Sequence, residues 1–171
     1  FMQSINKKNN YFIGTLSGTS MDAIDASIYK ITNKIKLVDS ISHKMPKDLK
    51  AKLFSLSKSK KNLFKNPTKA LKQADDEFTK ITVKTIKRLI KKSGLSSSDI
   101  TAIGSHGQTI QHSPFSKKPY SLQIGSPDLI AIQTGITTIG NFRQTNIMNG
   151  GRGAPLTPAC LLYTSDAADD C

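Results

Sequence analysis

The chain lacks tryptophan, has an aromatic content of 6%, and carries two cysteines in 171 residues. Cys160 and Cys171 sit at the far end with no metal-site spacing, so neither is assigned a role. No apolar run approaches the roughly 18 residues that a membrane span needs. The opening residues, Phe1 to Lys8, are polar and have no apolar core of the signal-peptide kind. A soluble cytoplasmic protein without a membrane partner is expected. Acidic residues are also scarce: 12 against 25 basic ones, a formal net charge of +13. Arginine is limited to Arg88, Arg143 and Arg152, and few aromatics are interleaved for stacking on bases. The basic excess lies mostly between Lys30 and Lys92, in helix-like segments. It therefore reads as a solvated lysine face, with only weak, salt-sensitive association with polyanions. A specific nucleic-acid partner is not expected.

The length suffices for one domain with a real core. Residues 11–32 read as a strand, a loop and a second strand, and Ile35 to Met45 as a third, in an antiparallel meander. Pro46 opens a helix bearing Leu49, Leu53 and Leu56. After a lysine and serine loop at 57–61, Asn66-Pro67 starts a long helix, with Asn66 as its cap. Leu71, Ala74, Phe78, Ile81 and Leu89 follow at helical spacing until Ser93-Gly94 ends it. This helix reads as core packing that carries no chemistry. A short strand Ile100–Gly104 then delivers Ser105-His106-Gly107-Gln108-Thr109. Tyr120–Ile124 is another strand, Ser126-Pro127-Asp128 caps a helix that Gly135 stops, and Ile136–Ile139 is a strand again. A meander followed by this βαβ-like rhythm suggests an α/β domain on a mixed sheet.

Between the first two strands runs Gly14-Thr15-Leu16-Ser17-Gly18-Thr19-Ser20-Met21-Asp22. Glycines permit close backbone approach and positive φ, and successive N–H groups with Ser and Thr hydroxyls can cradle anionic oxygens. Asp22 and Asp25 would repel a bare phosphate but suit one that arrives with Mg²⁺. No Gly-Lys-Ser/Thr follows, so this is not a Walker A loop. An ordinary Gly/Ser hairpin fits the same residues. Three further polar loops follow strand ends, where α/β sheets commonly bind ligands. His106-Gly107-Gln108-Thr109 offers an imidazole and an amide for a sugar hydroxyl or carboxylate, although a lone histidine is more often structural. Gln123-Ile124-Gly125-Ser126 adds another amide and a helix start. Asn141-Phe142-Arg143-Gln144-Thr145-Asn146 leads into Gly150-Gly151-Arg152-Gly153-Ala154-Pro155-Leu156, where the Arg143 fork suits a carboxylate or phosphate.

The ordered set Ile-Gly-Thr-x-Ser-Gly-Thr-Ser-x-Asp from Ile13, Ser-His-Gly-Gln-Thr from Ser105, Gln-Ile-Gly from Gln123 and Asn-Phe-Arg…Gly-Gly-x-Gly-Ala-Pro-Leu from Asn141 resembles anhydro-N-acetylmuramic acid kinase. The resemblance spans Tyr11 to Ala159. It implies an actin-like, sugar-kinase/Hsp70-type ATPase fold of the ribonuclease H-like kind, with residues 11–159 as an incomplete N-terminal kinase domain. It also implies conversion of 1,6-anhydro-N-acetylmuramic acid, ATP and water to N-acetylmuramic acid 6-phosphate in cell-wall recycling, by a homodimer when full-length. Gly18, Thr19, Ser20, Met21, Asp22, Ala23, Ile24 and Asp25 would then bind ATP, with Asp22 on Mg²⁺. His106, Gln108, Gly150 and Gly151 would lie at the sugar, with Arg143 taking a catalytic part.

Two departures stand out. The resemblance implies an Asp general base at position 146, where this chain has Asn146. An amide orients water but cannot take its proton, which favours, as the alternative reading, a non-catalytic sugar- or nucleotide-binding remnant. Ala23 replaces a usual Gly. From Cys160 onward the sequence departs from the family and reads as a translated sequencing adapter. Residues 160–171 are thus expected to be a non-native tail, and residues 1–10 a disordered start. The chain is expected to be an N-terminal part of the enzyme that is inactive alone.

Overall fold

The computed structural model describes residues 10–154. The expectations for residues 1–9 and for the tail at 160–171 lie outside the described residues, as do Pro155 and Leu156. A six-stranded mixed sheet has the order β3-β2-β1-β4-β5, with β6 also paired to β4. Strands β1 (Tyr11–Ser17), β2 (Ala23–Ile31) and β3 (Ile35–Lys44) form the antiparallel meander read from the sequence. Strand β4 (Ile100–Ser113) runs parallel to β1 and antiparallel to β5 (Tyr120–Ile124). The short β6 (Thr138–Ile139) lies parallel to the start of β4, so only half of the Ile136–Ile139 segment joins the sheet. This α/β mixed sheet flanked by helices agrees with the sugar-kinase type of fold.

Helices α1 (Lys47–Ser57), α2 (Lys69–Lys92) and α3 (Pro127–Thr134) pack on one face. Alternation in the strands supplies the partner surface: Ile13 from β1, Ile24, Ala26 and Ile28 from β2, and Ile103 from β4 are all buried. Leu49, Leu53 and Leu56 of α1 meet Leu71, Ala74 and Phe78 of α2, while Val83, Ile86 and Leu89 continue the stripe. The cap of α2 differs from the expectation. Thr68, with extended backbone, accepts from the Leu71 amide at 3.2 Å, and Pro67 precedes the cap. Asn66 instead donates its amide to Asn62. Ser126 caps α3 and Gly135, at φ 72°, ends it as expected.

Two loops of the sequence reading are regular structure. His106-Gly107-Gln108-Thr109 lies inside the 14-residue β4. Asn141–Asn146 forms most of a fourth helix, α4 (Phe142–Met148), entered through Asn141 at φ 59°. In β4 the register steps from Thr15↔Ser105 to Ser17↔Gln108, so one extra residue is inserted there. This bulge centres on Gly107 at φ 70°. It keeps Gln108 on the same buried face as Ser105, two positions that plain alternation would put on opposite faces.

Both Gly107 and Gly135 sit at positive φ, but only at Gly107 would a Cβ collide, 2.2 Å from the Ile124 carbonyl oxygen. Gly135→Ala is therefore expected to cost the αL penalty alone, about 1–2 kcal/mol. Gly107→Ala should cost clearly more, because β5 must also shift. Urea denaturation of both variants checks the order, and equal losses would remove the steric argument.

Candidate functional site

The first element of the site is the turn that follows β1. The Met21 amide donates to the Gly18 carbonyl at 3.1 Å, closing a tight turn with Met21 at φ 55°. Gly18, Thr19 and Ser20 are exposed at its tip. Met21 and Ile24, by contrast, are core residues beneath α1, so among Gly18–Asp25 they can offer a ligand only backbone. Asp22 is not an unclaimed metal ligand: Lys50 of α1 forms an ion pair with it. The Lys50 and Ser20 hydrogen bonds hold its carboxyl below the usual carboxylate range. Among the described residues, no cluster of three acidic, histidine or cysteine side chains could hold a metal ion. Exposed hydroxyls, a tight turn and the Lys50 cation fit a phosphate group; a metal would have to come with that phosphate and displace Lys50 from Asp22.

Below the turn, β1 and β4 exchange polar contacts inside the core. Thr15 Oγ1 donates to Ser105 Oγ at 3.3 Å, and Ser17 Oγ donates to Gln108 Oε1 at 2.7 Å. Gln108 is fully buried, its Nε2 donating to the Thr109 carbonyl at 3.2 Å. Gln108, expected at the sugar, is thus buried in this structure. Its amide is consumed beneath the turn, where it fixes Ser17.

His106, one residue before the bulge, does reach a cleft. Its Nε2 accepts from Arg143 Nε at 2.8 Å, so Nδ1 carries the proton, 3.1 Å from the Gly107 carbonyl. Burial, and then the Arg143 charge, push the ring below its ordinary pKa, although the Gly107 bond acts the other way. Arg143 also donates from Nη1 to the Gly153 carbonyl at 2.9 Å. Asn146 Oδ1 accepts from the Gly153 amide at 2.8 Å, and the Gly151 amide donates to the Asn146 carbonyl at 2.8 Å. Helix α4 thereby gathers His106, Arg143, Asn146, Gly151 and Gly153 into one unit. Gly151 is pressed so closely on Asn146 that a Cβ would stand 2.2 Å from Oδ1. Gly150, at φ 82°, only turns the chain. Gln144 anchors the helix by accepting from the Ser121 amide at 2.8 Å.

Two cavities open beside His106. On the face away from α1–α3, one of about 440 Å³ is lined by Gly14, Leu16, Asp25, Tyr29, Gly104, His106 and Phe142, among others. Gly14 and Gly104 are register partners, so neighbouring strands lack side chains at the same level and leave this hollow. Asp25, exposed on β2, faces it with His106. The second, polar and about 240 Å³, is lined by residues that include Asp75, Ser105, His106, Gln123, Asp128 and Asn141. It occupies the gap on the edge of β4 between β6, whose last residue Ile139 pairs with Gly104, and β5, whose last residue Ile124 pairs with Gln108. A crevice where two neighbours of one strand diverge is a usual ligand position in α/β sheets.

Sequence reasoning missed Lys50, Asp75 and Thr79. Beside the core packing expected of α2, Asp75 Oδ1 accepts from the Gly125 amide at 2.7 Å. The signal was present: Asp75 and Thr79 stand one turn apart, each next to a buried residue of the stripe, Ala74 and Phe78.

Residues 10–167 match the family model described as anhydro-N-acetylmuramic acid kinase. Curated relatives of that name include one from Mannheimia succiniciproducens, 40% identical over 150 residues, covering 87% of this chain and 39% of the relative. One from Coxiella burnetii is 40% identical over 148 residues, covering 86% and 38%. Another, from Vibrio parahaemolyticus, is 36% identical over 154 residues, covering 90% and 40%. The chain therefore spans about 40% of the length of the curated relatives it matches. No helix among the described residues is long and apolar enough to cross a membrane.

His43, His106 and His112 all have pKa values lowered from 6.5, chiefly by burial. Below that pH the unfolded chain binds protons that the folded chain refuses, so stability must fall on acidification. Asp22, Asp39 and Asp99 are already held low and stay charged through this range. The melting temperature is expected to drop between about pH 7.5 and pH 5.5. Thermal scans across this window check the sign, and a rise at the lower pH would refute the neutral-histidine assignment.

Proposed function

The chain belongs to the anhydro-N-acetylmuramic acid kinase family, and from that premise we propose that the protein, at its relatives' length, uses ATP and water to convert 1,6-anhydro-N-acetylmuramic acid to N-acetylmuramic acid 6-phosphate. The observation that carries this reading is one juxtaposition. The parallel pairing of β1 with β4 sets the Gly18–Asp22 turn beside the His106–Arg143–Asn146 unit, with Ser17 bonded to Gln108 between them. The exposed amides and hydroxyls of Gly18–Ser20 would hold the phosphates, and Asp25, with Asp22 once released by Lys50, would face an accompanying Mg²⁺, which would supply neutralisation of phosphate charge. His106 keeps Arg143 in place, and the uncommitted N–H groups of the Arg143 fork orient the sugar. Asn146 and the Gly150–Gly153 segment close this side.

In the reaction a water oxygen bonds to the anomeric carbon, the carbon–oxygen bond of the anhydro bridge breaks, and the freed 6-oxygen takes the γ-phosphoryl group as that group's bond to the bridging oxygen of ADP breaks and ADP leaves. The water's proton needs a base. Asn146 holds the position expected for it, with Oδ1 already engaged by the Gly153 amide. The second reading, a sugar- or nucleotide-binding remnant without turnover, rests on this residue. Residues 11–159 are assigned to the N-terminal domain of a cytoplasmic homodimer.

Asn146→Asp in the whole protein should raise formation of the sugar 6-phosphate by about 10²–10⁴-fold, the usual worth of a positioned base. The assay is product formation with ATP-Mg²⁺ binding measured in parallel. Equal rates in the two forms would discard position 146 as the base. Tight ATP binding with no turnover in either form would favour the remnant. Absence of ATP-Mg²⁺ contact at Gly18–Asp25 would end the kinase reading.

A further inference from the structure

Two side chains of α2 leave the core and take hold of backbone in the turn that joins β5 to α3. Asp75 Oδ1 accepts from the Gly125 amide at 2.7 Å, and Thr79 Oγ1 accepts from the Ser126 amide at 3.1 Å. Thr79 Oγ1 also donates to Asp75 Oδ1 at 3.3 Å, so the pair is itself bonded across one helical turn. Between them, Phe78 presses on the same turn: a Cβ on Gly125 would lie 2.9 Å from its ring. Gly125 in turn lies beside the bulge of β4 with no side chain between them: that same Cβ would be 3.4 Å from Gly107 Cα. Gly107 is the residue whose carbonyl accepts from His106 Nδ1. A continuous set of contacts thus runs from Asp75 through Gly125 and Gly107 to His106 and Arg143.

We propose that Asp75 is a positioning residue for the sugar side of the site. Its carboxylate pins the Gly125 amide, the pinned turn backs the Gly107 bulge, and the bulge fixes where the His106 ring stands to receive Arg143. The assignment of a sugar to His106 and Arg143 rests on the function proposed above, whereas the pin can be tested without it. What the turn requires is an acceptor at Oδ1. Asn supplies one through its amide oxygen, and Ala leaves a partly buried N–H without a partner.

The test compares Asp75→Asn, Asp75→Ala and Thr79→Val in the 171-residue chain by NMR. The readouts are amide exchange at Gly125 and Ser126 and the titration of the His106 ring. Asp75→Ala is expected to speed Gly125 exchange by about tenfold or more and to move the His106 titration upward toward 6.5. Asp75→Asn should leave both near wild type. If Asp75→Ala frees Gly125 without moving His106, the pin is local and the proposal falls. It falls equally if Asp75→Asn is as damaging as Asp75→Ala. Should Asp75→Ala not fold, Thr79→Val carries the test, with faster Ser126 exchange and the same direction at His106 expected; an unmoved His106 there overturns the proposal.

In the whole protein, Asp75→Ala should raise the KM for the sugar about ten- to a hundredfold, leaving the KM for ATP within about twofold and Asp75→Asn near wild type. An unchanged sugar KM, or an equal rise for ATP, would refute a positioning role. A wild-type protein without kinase activity would overturn the proposed function and leave the NMR result standing.

Discussion

A hydroxyl and an amide, both buried, meet between β1 and β4: Ser17 donates to Gln108 over 2.7 Å. Neither group has water to fall back on; Gln108 Oε1 relies on Ser17, whose hydroxyl also lies 2.8 Å from the Ala23 carbonyl as a second acceptor. The bond fixes the register at the place where β1 ends and the turn begins. It also requires the bulge at Gly107, since without an extra residue Gln108 would face away. His106, next to buried Ser105, falls on the open side by plain alternation, and the bulge is what keeps Gln108 from joining it there. One buried contact thus sets the position of both halves of the site, and its residues are fixed by core geometry instead of by ligand contact.

Around that contact the site is built largely from backbone and from glycine. Paired Gly14 and Gly104 leave one hollow, and the divergence of β5 and β6 along β4 leaves another. Cationic and neutral donors then tie the rim together. Arg143 spends its Nε on His106 and one Nη1 proton on Gly153, and Asn146 takes the Gly153 amide. Such a network is stiff only when every member is satisfied. The neutral state of His106 is part of that condition, because a protonated ring would have no lone pair for Arg143.

Much of this was legible in the residues. The strand–loop–strand reading of residues 11–32, the leucine stripe of α1 and the Ser126…Gly135 punctuation of α3 each appear in the fold at the expected place. Local signals failed where distant partners decided the outcome. Ser105–Thr109 reads as a loop because of its glycine and polar side chains, yet β1 and β5 pair with it on both edges and draw it into a strand. Asn141–Asn146 has weak helical periodicity, and it is helical because Arg143, Gln144 and Asn146 find partners on β4, β5 and the following turn. Gln108 and His106 look alike as candidates in the sequence. Only the bulge separates the buried one from the reachable one. Asp75 was hidden for the opposite reason: an acidic residue in a lysine-rich helix reads as solvated until a backbone amide from 50 positions away is found on it.

The parallel union of β1 with β4 has a kinetic side. Thr15 and Ser105 are 90 positions apart, and everything between them must be made before they meet. The three-strand meander can close early, since its hairpins are local, but β1 then presents a bare hydrogen-bonding edge until β4 emerges. Loop closure over that distance is slow compared with hairpin formation. During synthesis, an unpaired strand edge beside a run of aliphatic side chains invites pairing with a neighbouring nascent chain. The dense lysines of α1 and α2, which are made in exactly that interval, would make such neighbours repel one another.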